Sequence, residues 1–381
     1  MLEEQRNRAD IKARWGAEGR RFKSCYPDQI PSSVVSLIRG RTAQGTSNVT
    51  TFARSERIRS GVRLLLRRER TFETQAIDRL RLAGPAMVAL AGRFAPSPSG
   101  PLHLGSLLAA LGSYLQARAQ GAQWYLRIDD LDTPRVQPGA ERAILDALVH
   151  FGLVWDGPVL RQSSRREAYR RAIRWLKRHG HAFDCGCTRR EAQDGTHGIE
   201  GPVYPGTCRG GLPDGREPRS VRFIVDSRVR AVNDHVQGVY TQRLDRDIGD
   251  FVIRRADGIT AYQLATILDD HEQGVSEVIR GADLLSSTPR QIALYDAFDW
   301  APPAYGHLPI LVDAGGEKLG KSTGALALES HAPGAQLYRC LVLLGQDPPP
   351  AFQTASVARV LAWATDNWSL ERVPATAQMT L

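Results

Sequence analysis

The stretch R-F-A-P-S-P-S-G-P-L-H-L-G-S, Arg93 to Ser106, decides how this chain folds. It follows the short apolar run Val88, Ala89, Leu90, Ala91. It precedes Leu107, Leu108, Leu111, Tyr114 and Leu115, whose spacing is that of one helix face, so the whole reads as strand, turn, helix. Such a turn aims backbone N–H groups and the positive end of the helix dipole at whatever docks there, which suits a phosphate. Pro96, Pro98 and Pro101 stiffen the approach, while Gly100 and Gly105 let backbone and ligand come close. His103 is placed to donate to phosphate oxygens. Taken alone, the segment also reads as a proline-rich loop ahead of an ordinary amphipathic helix.

A second signature, E-K-L-G-K-S-T-G from Glu317 to Gly324, lies about one catalytic domain further on. Lys318 and Lys321, in a loop with Gly315, Gly316, Gly320 and Gly324, form a cationic arm able to stabilise negative charge on phosphates. A solvated charged loop is the plain alternative. Trp124, Tyr125, Leu126 and Ile128 read as a buried strand, and Ala143 to Phe151 as a helix packed on it. The expected architecture is an α/β nucleotide-binding fold with a parallel sheet and its ligand at the carboxyl ends of the strands.

Together the two motifs resemble the H-I-G-H and K-M-S-K-S signatures of class I aminoacyl-tRNA synthetases, and the similarity is to the glutamyl branch, from about Met87 to about Gly324. R-I-D-D-L-D at Arg127 to Asp132 is similar to that branch's R-I-E-D-x-D segment. D-F-V-I-R-R-A-D-G-I-T-A-Y-Q-L-A (Asp250 to Ala265) and L-D-D-H-E-Q-G-V-S-E-V-I-R-G-A-D-L (Leu268 to Leu284) resemble the second half of its active site. Within the branch the chain is most similar to the shortened members that attach glutamate to queuosine, a modified base of tRNA(Asp). The resemblance implies a Rossmann-like catalytic domain, ATP with magnesium, and glutamate as the amino acid. It also implies tRNA(Asp) carrying queuosine as a partner met through its anticodon loop. The protein is expected to be a cytoplasmic monomer with no membrane partner.

The resemblance carries roles onto particular residues. His103, Lys318 and Lys321 are the catalytic candidates, with His103, Gly105 and Lys321 on ATP. Glutamate falls to Arg93, Phe94, Ala95, Pro96, Ser97, Asp129, Tyr262 and Arg280. Its two carboxylates need fixed guanidinium groups, assigned to Arg93 and Arg280, and its ammonium needs an acid, assigned to Asp129. Asp129 is one methylene shorter than the usual Glu. Either the backbone approaches more closely, a water bridges the gap, or affinity is reduced. Gly320 replaces the usual Ser of the loop, while Ser106 in place of the second His is usual in the shortened branch.

Three of five cysteines cluster at Cys185, Cys187 and Cys208, with Tyr204 four residues before the last. Converging thiolates suit a soft or borderline cation such as zinc, with Tyr204, His181 or His197 as a fourth ligand; three thiols without metal are the alternative. The resemblance selects Cys185, Cys187, Tyr204 and Cys208, as a structural site clipping an insert between the two halves of the fold. Cys340, among Leu337, Leu341 and Leu344, reads as a small buried hydrophobe.

The chain carries a formal charge of +9, which suggests a nucleic-acid partner until its location is counted. Residues 1–86 hold 18 Lys and Arg against 9 Asp and Glu, and the remaining 295 residues balance at 32 each. Any basic surface of the catalytic body is therefore local. The run Arg161, Arg165, Arg166, Arg170, Arg171, Arg174, Lys177 and Arg178 reads as a solvated helix face or as an RNA footprint. Residues 1–86 lack sustained periodicity and match nothing in the resembled family. They are expected to be a disordered basic arm or the product of a start assigned too early. No apolar run approaches the roughly 20 residues of a membrane span.

The expected division is 87–183 and 236–330 as the two catalytic halves, 184–235 as the zinc-containing insert, and 331–381 as a short helical C-terminal region. Only 59 residues follow Ser322, so an anticodon-binding domain is not expected. Two other readings stay open. One is a truncated glutamyl-tRNA synthetase charging the acceptor end of tRNA(Glu); the other is a non-catalytic binding module derived from a synthetase.

Overall fold

A computed structural model describes residues 90–317, 328 and 331–381. The extension 1–86 and the lysines and glycines of 318–324 lie outside them. Strand β1 spans Ala91–Phe94, and helix α1, Leu104–Ala119, follows the proline-rich turn. The strand begins about three residues later than the apolar run suggests, because it is the Arg93 segment that pairs with the next strand. β2 (Gln123–Ile128) runs parallel to β1 from Ala91↔Gln123 to Phe94↔Leu126, and the short β3 (Leu160–Arg161) extends the sheet in parallel beyond β2. Leu107, Leu108, Leu111 and Leu115 of α1 are at most 1% exposed, each contributing about 1.5–3 kcal/mol relative to exposure. Helix α2 spans Ala140–His150, starting three residues before the predicted Ala143 because Gly139, at φ 78°, breaks the chain just ahead of it.

After α3 (Arg166–Arg178) the chain builds a small antiparallel sheet from β4 (Ala182–Cys185) and β5 (Ser220–Phe223). The hairpin β6 (Val229–Asp234) and β7 (Gly238–Arg243) precedes β8 (Val252–Arg254), which joins β5 on its other side. Helix α4 (Tyr262–Glu272), β9 (Glu277–Gly281), α5 (Thr288–Phe298) and β10 (Ala304–Leu308) form the second half. β9 and β10 are parallel over five pairs, and β6 joins β10 at Asp234↔Tyr305. The expected boundary at residue 235 thus falls inside the β6–β7 hairpin.

Ser276, immediately before β9, ties the halves together: its N–H donates to the Ala91 carbonyl at 2.9 Å, and its Oγ accepts from the Ala91 N–H at 3.0 Å. The carboxyl ends of β1, β2 and β9 consequently open at one edge. Beyond β11 (Ile310–Val312), helices α6 (Pro333–Leu343) and α7 (Val357–Asn367) share the apolar core of α1 through Leu337, Leu341, Val360 and Leu361. Cys340 lies fully buried in that core, as expected, and burial pushes its thiol up to about 12. The tail is not purely helical: β12 (Gln378–Thr380) pairs in parallel with β11. Its alternation is too short to be legible in sequence. Among the described residues no helix is long and apolar enough to cross a membrane.

Candidate active site

The turn between β1 and α1 forms one wall of a cavity of about 270 Å³, and β9 with the Pro309–Leu311 segment forms the other. Arg93, Phe94, Ala95, Pro96, Ser97, His103, Gly105 and Arg280 all line it. Residues nearly 190 positions apart are therefore neighbours, as a site built from both halves requires. His103 is the N-cap of α1, its Nδ1 accepting from the Ser106 N–H at 3.3 Å. Nδ1 being the acceptor, the ring proton of the neutral form sits on Nε2. Gly105 relieves crowding here, since a Cβ would stand 3.3 Å from the His103 ring and press on it.

Arg280 is 5% exposed, yet among the described residues it has no carboxylate in contact. Its Nε donates to His307 Nε2 at 3.0 Å, one Nη donates to Thr288 Oγ1 and Gln291 Oε1 at 2.9 Å each, and the other reaches the Tyr262 hydroxyl at 3.4 Å. Every acceptor is neutral. An arginine held in a dry site by neutral dipoles keeps its charge available for an incoming carboxylate.

Arg93, assigned to a substrate carboxylate, also has an acid partner within the protein. Its Nε donates to Asp270 at 3.3 Å, and Asp270 also accepts from Arg127 at 2.5 Å. Burial alone would raise the Asp270 carboxyl, but Arg93 and Arg127 hold it below the usual carboxylate range. Arg127 further donates to Asp129 at 2.7 Å. Asp129 is 9% exposed, and its N–H donates to the Pro96 carbonyl at 3.0 Å, so the shorter acid stands on backbone tied directly to the first motif. Burial pushes Asp129 up to about 6 despite Arg127. Behind these groups Asp269 accepts from Tyr169, Gln162 and Arg165 at 2.8, 2.9 and 2.6 Å.

Arg127, Asp234, Asp269, Asp270 and His307 have no assigned role in the sequence reading. A charge within an apolar strand and an adjacent acid pair inside a helix were the available signals, since full burial requires each to be paired. Lys318 and Lys321 lie outside the described residues; β11, which precedes them in the chain, borders the cavity through Ile310 and Leu311.

The three thiol sulfurs of Cys185, Cys187 and Cys208 lie within 4.8 Å of one another, all buried. Cys187 and Cys208 are 3.6 Å apart, close to the roughly 3.8 Å edge that a tetrahedron of zinc–sulfur bonds defines. The Tyr204 oxygen stands 3.4 and 3.5 Å from the sulfurs of Cys185 and Cys187 and accepts from the Cys208 N–H at 2.9 Å. Arg222 donates to Cys185 Sγ at 3.4 Å and covers the Tyr204 ring. Burial raises the Cys185 thiol, but its hydrogen bond with Tyr204 and the one it accepts from Arg222 more than offset this, bringing it to about 7. His181 instead lies against Trp175, and neither it nor His197 joins the cluster.

The pattern described as tRNA synthetases class I (E and Q), catalytic domain, matches residues 89–346. Fold, cavity and match define a class I synthetase catalytic domain. A glutamyl-Q tRNA(Asp) synthetase of Chromobacterium violaceum is 53% identical over 285 residues, covering 74% of this chain and 95% of that protein. One from Dechloromonas aromatica is 52% identical over 286 residues, with the same coverage. The chain belongs to the glutamyl-Q tRNA(Asp) synthetase family within that class. Among solved structures, a glutamate tRNA ligase from Elizabethkingia meningosepticum in complex with its amino acid superposes with a TM-score of 0.64 at 28% identity, over 76% of this chain and 67% of the other.

Proposed function

We propose that this protein activates glutamate with ATP in the absence of tRNA and transfers it to the queuosine base in the anticodon loop of tRNA(Asp). The observation that carries this reading is the shared cavity, in which two arginines stand beside a helix N-terminus capped by His103. One side is built for carboxylate and the other for phosphate. The family's relatives, named for glutamyl-Q formation, supply the acceptor.

In the first step the α-carboxylate of glutamate attacks the α-phosphorus of ATP, which carries its magnesium with it, and pyrophosphate leaves. Arg280 and Arg93 orient the carboxylates, Tyr262 supports Arg280, and Asp129 receives the ammonium; Phe94 to Ser97 shape the wall. His103, Gly105 and the N–H groups of α1 meet the phosphates, joined by Lys318 and Lys321. No protein nucleophile is required, because positioning and charge neutralisation carry such a displacement. In the second step a hydroxyl of the queuosine ring attacks the glutamyl carbonyl, and AMP departs.

Cys185, Cys187, Tyr204 and Cys208 would hold zinc, which supplies a structural cross-link when bound, with all four positions filled by protein. The enzyme acts as a monomer in this reading.

Glutamate-dependent ATP–pyrophosphate exchange without RNA is the first test. The second is charging of tRNA with and without queuosine, followed by base analysis. Exchange that appears only on adding tRNA, with glutamate recovered at the acceptor end of tRNA(Glu), would favour the second reading, a shortened glutamyl-tRNA synthetase, which the likeness to a glutamate tRNA ligase supports.

A further inference from the structure

A second concavity among the described residues is separate from the active site. It is an open cleft of about 510 Å³ between α3, the β4–β5 sheet and the turn after β8. Its cations are Arg166, Arg170, Arg174 and Lys177 from α3 and Arg254 from β8. The four on α3 follow one helix face, a row roughly 16 Å long at 1.5 Å per residue. Its two acids are already matched, Asp184 by Lys177 and Asp257 by Arg255, the latter at 2.7 Å. Glu167 is shared between Arg170 at 3.5 Å and Arg174 at 3.2 Å. Arg166 and Arg254 have no carboxylate partner among the described residues, and the Arg254 Nε is buried without any hydrogen-bond acceptor.

Outside residues 1–86 positive and negative side chains are equal in number, so this concentration is local and not a by-product of a basic protein. The arginine run is also not one solvated face: Arg165 turns inward to Asp269, while its neighbours one helical turn on line the cleft. The floor is apolar, with Leu131 and Ile259 packed in one small cluster with Tyr169 and Ala265. Leu131 lies two residues beyond Asp129, so the cleft's floor continues directly from the active-site strand end.

We propose that this cleft seats the phosphodiester backbone of the RNA substrate, holding several consecutive phosphates while a neighbouring nucleotide enters the active-site cavity, whose Pro96 is hydrogen-bonded to the Asp129 backbone. Arginine forks bind phosphate oxygens bidentately, and a row of them along a groove tracks a strand without reading its bases. The proposal rests on the reading that the acceptor is RNA.

The test compares the whole protein with an Arg170→Gln, Arg174→Gln double variant and with Arg254→Gln. Arg142→Gln, an exposed change on α2, is the control matched in charge to Arg254→Gln. tRNA(Asp) binding is measured by fluorescence anisotropy at several salt concentrations, alongside RNA-free exchange and charging. The expected result for the cleft variants is tRNA affinity about tenfold weaker, with a salt slope shallower by about one per lost phosphate contact. RNA-free exchange and the control should be unchanged. Variants with wild-type tRNA affinity, KM and salt slope would overturn the proposal, as would a wild-type protein that binds no tRNA. tRNA that binds wild-type protein but is never charged, and binds the variants more weakly, supports the cleft while removing the queuosine reading.

Discussion

Arg280 and His307 form a polar contact that neither residue's sequence context announces: the Arg280 Nε donates to His307 Nε2 at 3.0 Å, and His307 Nδ1 stands 2.5 Å from Asp234 Oδ2. Arginine can only donate, so Nε2 is the acceptor and the imidazole proton lies on Nδ1, directed at Asp234. Burial holds the His307 pKa below its ordinary value, although Asp234 pulls the other way. The imidazole is neutral and single in tautomer. Arg280 is thereby aimed by a histidine that does not compete for its charge.

Replacing His307 by Phe strands the Nε–H of Arg280 and the carboxylate of Asp234 in a dry site, at about 1–3 kcal/mol for the lost partner. The glutamate KM in pyrophosphate exchange should rise roughly tenfold, with the ATP KM much less affected. His307→Gln, which retains an acceptor, should recover part of the loss. Equal effects on both substrates would indicate a merely structural role.

With Asp129 as the proposed partner of the glutamate ammonium, glutamate binding is linked to pH. The Asp129 carboxyl is raised from 3.8 to about 6, and only the ionised form receives an ammonium, so glutamate affinity should climb as pH rises through about 6. The stability contribution runs oppositely: it is fully present below 3.8, where both folded and unfolded chains hold the proton, and is lost as pH rises through about 6. Glutamate KM measured on both sides of that value checks the sign. Asp129→Asn should abolish the step, and its persistence in that variant would assign it to another group.

Asp270 is the counter-charge of Arg93 and Arg127. Asp270→Asn leaves two buried guanidinium groups short of their acid, and breaking a buried pair in this way typically costs about 3–5 kcal/mol. Urea unfolding followed by fluorescence measures it. A change below about 1 kcal/mol would mean that Asp129 and Asp269 suffice.

For the thiol cluster, metal analysis of purified protein should find about one zinc per chain, and close to none in Cys187→Ser, with a lower Tm in the variant. Wild-type protein prepared without chelator and free of zinc would end the assignment.

Lys321→Ala should lower kcat for exchange by about 10²–10³, the usual loss when one group stabilising transition-state charge is removed, with glutamate binding retained. An unchanged kcat would transfer the role to Lys318 or His103.

Much of the fold was legible because local rules and tertiary context agree. Leucines at helical spacing after a proline-stiffened turn bury one face whatever they pack against, and α1 follows. Trp124 to Ile128 had no polar interruption except Arg127, and β2 follows. Boundaries shifted where one residue decided them, as Gly139 did for α2. The terminal strand Gln378–Thr380 escaped because its pairing with β11 depends on an edge that exists only after the tail has folded back.

The sequence by itself determined the turn that caps α1 and the thiol spacing, since each is a short pattern whose chemistry survives in isolation. Tertiary structure alone decided how the site's groups are charged and aimed. Asp234 and His307 are 73 residues apart and Arg280 lies 27 from His307, joined only because β6, β10 and β9 are neighbours in one sheet. Arg93 meets Asp270 across 177 residues for a related reason: buried charges must find partners, and the sheet order determines which partners are within reach.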